Sequence, residues 1–267
     1  MASPTAFRRA RFTWLPLALA LTCVLDLQLS GQSSPTVSAP QRVPVLVELF
    51  TSEGCSDCPP ADALLGQLDA KQPVPGAHVI VLSEHVTYWN HERWRDPFSL
   101  DAMTDRQEDY VRRFGLESSY TPQMVVDGTT QFVGSNARNL VAAVTNAAKT
   151  SKQSLAIADA KWDHGAVIFS VRGDAPSSAR LFAVLAADAT HQEVSSGGNA
   201  GRTLHHVAVV RAMKEFGSET ANGRPLTLSG GALNRKDEAN GPVRLVIFLV
   251  DRKTAHVLAA AEQTLAR

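Results

Sequence analysis

Val47-Glu-Leu-Phe-Thr-Ser-Glu-Gly-Cys-Ser-Asp-Cys-Pro-Pro-Ala-Asp62 joins the end of an apolar run to two cysteines and then to a helical pattern. The run from Pro44 to Phe50 reads as a buried strand. Pro60 opens a helix with Ala61, Leu64, Leu65 and Leu68 on one face. Cys55 and Cys58 therefore sit at a helix entrance, where unpaired backbone N–H groups and the helix dipole favour a thiolate. Cys55 is the expected nucleophile of thiol-disulfide exchange, and Cys58 the thiol that resolves the mixed disulfide. A zinc site would need two further ligands, and the sequence holds no second Cys-x-x-Cys and no paired histidine motif. A purely structural disulfide closing so short a loop would remove little chain entropy.

Outward from that stretch, His78–Leu82 reads as a second strand. Leu100, Met103, Gln107, Tyr110, Val111 and Phe114 then recur at helical spacing, with Ser99 as the expected N-cap and Gly115 as the stop. Gln123–Val126 and Gln131–Val133 form a hairpin around Asp127-Gly128, and Asn136 caps a helix carrying Leu140, Val141, Val144 and Ala148. From Lys152 onward the apolar runs are bounded by Gly, Pro and Asn: 154–162, 166–171, 180–187, 204–210, 225–228, 243–250 and 257–263. Strands are expected there, with Arg211–Phe216 as a helical turn. The expected fold class is an α/β thioredoxin-like domain over 43–151 followed by a small β-sandwich-like domain over 152–267. Thr121-Pro122 comes just before the third strand, where a thioredoxin-like protein places a cis-proline beside its cysteines. Pro122 is thus expected to be cis and to shape the groove at Cys55.

Glu48 is an acid in an apolar strand with Leu46 and Phe50 on its side, so a core-facing carboxylate that moves protons for the thiols is expected. Glu84 and His85 end the second strand. Tyr88, Trp89, Trp94 and Phe98 crowd one loop that would dock on the core or cover the disulfide. Gly197–Arg202 reads as an irregular loop rather than a phosphate loop, and Arg202 and His206 are expected to face the first domain. Glu53 and Asp57 flank Cys55, with no Lys, Arg or His between Val43 and Asp62. Local charge therefore disfavours the Cys55 thiolate and predicts a weakly oxidising couple with Cys55 the more exposed thiol.

The chain has 267 residues, 44% apolar and 19% charged, enough for one or two cores. Lys plus Arg equals Asp plus Glu at 26 each, so no basic surplus exists to hold nucleic acid or an anionic membrane surface. Arg8, Arg9 and Arg11 precede an apolar run from Trp14 to Leu25, the layout of a signal peptide over 1–31, with a flexible lead-in over 32–42. Cleavage removes Cys23 and leaves 23 basic against 25 acidic residues. An uncleaved segment would instead anchor the chain to a membrane. The expected location is periplasmic or secreted.

The stretch 47–62, Tyr88-Trp-Asn90, Trp94, Asp96-Pro-Phe98, Arg106-Gln107 and Tyr120–Gly128 resemble the uncharacterised bacterial thioredoxin-like family known as domain of unknown function 1223. The resemblance continues through Gly197, Asn199, Gly201-Arg202, Leu204, His206 and Val209–Arg211. It implies a thioredoxin-like part joined to a β-rich part, with no assigned reaction. Together these readings predict an exported thiol-disulfide oxidoreductase without a cofactor, acting on protein or peptide thiols and disulfides. Two alternatives stand beside it: a Cu(I)-handling protein using Cys55, Cys58 and a histidine such as His85, and a non-catalytic adaptor.

Overall fold

The computed structural model describes residues 42–91, 93–230, 233 and 241–266. The expected signal segment 1–31 and all but the last residue of the lead-in lie outside the described residues. The first half runs β1 (Val43–Thr51), α1 (Pro59–Lys71), β2 (Ala77–His85), α2 (Asp101–Phe114), β3 (Gln123–Val126), β4 (Thr130–Val133) and α3 (Ala137–Ala147). Among the described residues the second half is mostly strand, with a 3-10 turn at Ser218–Thr220. It comprises β5 (Leu155–Asp163), β6 (Ala166–Gly173), β7 (Ala179–Glu193), β8 (Thr203–Gly217), β9 (Asn222–Ser229), β10 (Val243–Asp251) and β11 (Val257–Leu265).

Local signals set the ends of several elements. Asn136 caps α3 by accepting from the Asn139 N–H, and α2 stops where Gly115 turns left-handed at φ 63°. Asp127 and Gly128, at φ 51° and 70°, make the β3–β4 turn, and a Cβ on Gly128 would stand 2.0 Å from the Ala255 carbonyl oxygen. Ser99 does not cap α2. Leu100 holds the N-cap position without a side-chain bond, while the Ser99 hydroxyl donates to the Asp96 carbonyl.

The fold is mixed α/β: one sheet of eight strands, with parallel and antiparallel pairs, runs β11-β10-β7-β8-β2-β1-β3-β4, and β5-β6-β9 form a second sheet. Strands from both sides of residue 151 share the large sheet: β8 adds to β2 in parallel through Ser83 and Val209. In β7, Leu181, Ala183 and Leu185 enter a core shared with Val167, Phe169 and Val171 of the small sheet. Phe182, Val184 and Ala186 enter the core that contains Met103 and Tyr110 of α2. Burial on both faces explains why 181–187 of β7 and 245–250 of β10 read as unbroken apolar runs.

Arg211–Phe216 is strand, not a helical turn. Arg211 is the bulged residue between Ala212 and Val210 opposite Leu185 and Ala186, and Ala212–Gly217 pairs with β7 back to Arg180. Sheet pairing over that length outweighs the helical preference of a short stretch.

Candidate functional site

Cys55 and Cys58 form a disulfide with Cα atoms 5.4 Å apart at the entrance of α1. Cys55 N–H donates to Ser52 O and Cys58 N–H to Cys55 O, and the first turn of α1 begins from Cys58 O, which accepts from Ala61 and Asp62. The Thr121-Pro122 peptide bond is cis. Pro122 lies on the same side of the sheet as α1: a Cβ on Gly134 would meet Leu49 Cδ1 at 2.8 Å, Pro122 Cβ at 3.1 Å and Ala61 Cβ at 3.2 Å.

Neither cysteine is exposed, so the expected accessibility of Cys55 is not present in this structure. Cys55 is 1% and Cys58 0% exposed, because other segments cover the turn. Trp89 packs over it, its Cβ 3.1 Å from where a Gly54 side chain would begin, and its indole N–H donates to Thr121 Oγ1 at 2.7 Å. The 194–202 loop between β7 and β8 closes from above through Asn199, whose amide nitrogen donates to Glu53 O and Cys55 O.

Glu48 is buried, as a core-facing acid must be, but it faces away from the disulfide. Along β1, Leu49 and Thr51 point to α1: Thr51 Oγ1 donates to Asp62 Oδ1 at 2.9 Å. Glu48 and Phe50 alternate to the opposite face. There Arg106 Nε donates to Glu48 Oε1 at 2.5 Å, Tyr110 OH donates to Oε2 at 2.6 Å, and the Tyr110 ring packs edge-on against Phe50. Glu84 joins this group 3.7 Å from Arg106 Nε. Burial first, and then the charge of Glu48, push the Glu84 carboxyl well above its ordinary range, against the pull of Arg106. The proton-moving role expected of Glu48 lacks the required placement.

The carboxylates on the cysteine side are Glu53, Asp62 and Asp96. His206 reaches in from β8, with Nε2 3.4 Å from Glu53 Oε1 and Nδ1 3.7 Å from Asp62 Oδ1, every side chain buried. Burial alone would lower the His206 pKa. The neighbouring carboxylates, Asp62 first and then Glu53, more than offset it and push the pKa up to about 10. His85 Nδ1 lies 2.7 Å from Asp96 Oδ2. Asp96 also accepts from the N–H groups of Glu53 and Phe98. Burial works against that carboxylate, but the charge and hydrogen bonds of His85 and the two backbone donors hold its pKa down to about 2.

The rings of His85, His206 and Phe98 pack edge to face, the two imidazoles 4.6 Å apart, and Trp94 donates to Glu53 Oε2 at 2.9 Å. The aromatic loop is thus part of the disulfide's surroundings. Arg211 holds it from β8 by donating to Phe98 O at 2.8 Å. The isolated sequence offered residue types here, a histidine and an Asn in the second half, but no local signal pairing them with Glu53 or Cys55. Asp57 remains exposed.

Among the described residues, no group of three or more His, Cys, Asp and Glu side chains is arranged to hold a metal ion. His85 Nδ1 is engaged by Asp96, while its Nε2 is buried without a hydrogen-bond partner. None of the described helices is long and apolar enough to cross a membrane.

The family described as a protein of unknown function, DUF1223, matches residues 46–249. The X-ray crystal structure of a protein from Agrobacterium tumefaciens is similar to this chain with a TM-score of 0.59 and 25% identity, covering 84% of this chain and 95% of that one. No curated protein matches.

Proposed function

We propose that this chain, which belongs to the DUF1223 family, is an exported thiol-disulfide oxidoreductase that uses Cys55 and Cys58. The observation that carries the reading is the Cys55–Cys58 disulfide at the first turn of α1, on the same side of the sheet as cis-Pro122. Such a short loop gains little from cross-linking, whereas a helix entrance suits a sulfur that alternates between bonded and thiolate states.

In the reducing direction the co-reactant is a polypeptide dithiol. Its thiolate attacks Sγ of Cys55. The S–S bond breaks, its electron pair leaves on Cys58, and Cys58 takes up a proton. The partner's second thiolate then attacks the mixed disulfide and releases Cys55, which takes up the second proton. The partner ends as a disulfide, having given two electrons and two protons. The reverse sequence oxidises a partner. Pro122 shapes the groove, and Asp62, one turn after Cys58, takes the place expected of Glu48 among the carboxylates on the cysteine side.

The order of β2-β1-β3-β4, with β1 parallel to β2 and antiparallel to β3, supports a thioredoxin-like reading of 43–151. The second core shared by the two sheets supports a β-sandwich-like reading of 152–267. The arginine-led apolar segment supports export to a periplasmic or secreted location.

Equilibration of the protein in dithiothreitol redox buffers, followed by alkylation and mass measurement, tests the reading. One reversible two-electron transition is expected, on the reducing side of about −180 mV, because Glu53, Asp57 and Asp62 outnumber His206 around the pair. A bond that never opens in the folded protein overturns it.

A further inference from the structure

We propose that Asn199 gates the Cys55–Cys58 disulfide, its side chain occupying the pair of carbonyls that the backbone of a polypeptide partner takes over. The inference rests on the oxidoreductase reading and adds to it both a substrate class and a means of selection.

The Asn199 amide nitrogen donates to Glu53 O and to Cys55 O, each at 2.9 Å, and these two carbonyls lie on either side of Gly54. Arg202 Nη1 donates to Asn199 Oδ1 at 3.1 Å, which fixes the amide with its NH2 toward the carbonyls. Asn199 is fully buried. Its loop is tied into a closed unit by Val194 N–H to Arg202 O, Gly201 N–H to Val194 O and Arg202 N–H to Asn199 O. The unit is seated directly on the disulfide turn. A Cβ on Gly198 would lie 3.4 Å from both Gly54 O and Ser56 Cβ, and Ser196 Oγ donates to Arg93 O at 2.7 Å.

Two consequences follow from chemistry. A thiolate must approach the S–S bond end-on, and with Cys55 1% exposed beneath Trp89 and the 194–202 loop approach requires the cover to open, the loop included. Lifting it strips the donors from Glu53 O and Cys55 O, and an acceptor left bare away from water is costly. A polypeptide partner restores both bonds with its own backbone N–H groups. A small thiol such as dithiothreitol has no backbone N–H groups, so only its hydroxyls or water can take their place. The carbonyl pair therefore favours polypeptide dithiols over small reductants, and Asn199 imitates the peptide amide that replaces it.

The experiment compares reduction of the wild-type disulfide by dithiothreitol and by a peptide dithiol with that of Asn199→Ala and Asn199→Asp, all checked for native folding by thermal unfolding. Asn199→Ala is expected to speed reduction by dithiothreitol and by the peptide alike, about tenfold, with the peptide keeping its advantage because both carbonyls remain. Asn199→Asp, which sets a carboxylate against two carbonyls, is expected to speed it further. Equal dithiothreitol rates in wild type and variants overturn the proposal while leaving the oxidoreductase reading standing. Failure of every protein to be reduced overturns both.

Should the variants not fold, the wild type decides. Reduction through a lifted loop depends only weakly on low concentrations of urea, whereas a steep dependence matching global unfolding overturns the proposal.

Discussion

His206 Nε2 stands 3.4 Å from Glu53 Oε1, so a histidine on β8 answers the carboxylate two residues before Cys55. With its pKa up at about 10 against about 6.5 unfolded, His206 binds its proton more tightly when folded. Its stabilisation is complete below about pH 6.5 and is lost as pH rises through about 10. His206→Gln is expected to cost about 3 to 5 kcal/mol at pH 6, since it leaves Glu53 and Asp62 without their cation. Urea unfolding of both proteins from pH 6 to 10 should show the difference shrinking as pH rises. A constant difference would mean the histidine acts by packing alone.

Asp96 behaves with the opposite sign. Its pKa, held down to about 2 against about 3.9 unfolded, makes its stabilisation present above about pH 4 and lost as pH falls through about 2. Asp96→Asn is expected to destabilise by about 3 kcal/mol at pH 7, because His85, Glu53 N–H and Phe98 N–H all depend on that carboxylate. Acid unfolding is the check: the wild type should lose its advantage over the variant below about pH 3.

Glu48 and Glu84 share one cation, Arg106, and should respond unequally. A buried acid whose pKa is raised on folding destabilises the protein as pH climbs past its unfolded value, and Glu84 is such a group. Glu84→Gln is therefore expected to hold or slightly raise the neutral-pH stability. Glu48→Gln is expected to lower it by about 3 kcal/mol, since both Arg106 and Tyr110 donate to that carboxylate. Chemical denaturation at pH 7 ranks the two variants, and the reverse order would refute the assignment.

Gly134 is packed tightly between β1, α1 and Pro122. Its missing side chain lets Leu49, Pro122 and Ala61 converge, all within 3.2 Å of where a Cβ would sit. Gly134→Ala is expected to cost about 1 to 3 kcal/mol by overpacking and to push Pro122 away from α1. A crystal structure of the variant with Pro122 unmoved, together with an unchanged Tm, would show the space to be more yielding than this geometry implies.

What the sequence determined by itself were the features set within a few residues. The Asp127-Gly128 turn, the Gly115 stop, the Asn136 cap and the disulfide at a helix entrance all follow from backbone preferences that need no distant partner. The Cys55 environment was decided only in the tertiary structure. Glu53 seemed unopposed along the chain, yet sheet pairing of β8 onto β2 carries His206 to it. Asn199 reaches Glu53 O across a separation of 146 residues, and Arg106 reaches Glu48 across 58. Which face of β1 each side chain takes is a period-two matter, but which helix covers that face is not. That choice depends on the packing of whole elements, so Glu48 could be read as buried and still be read toward the wrong partner.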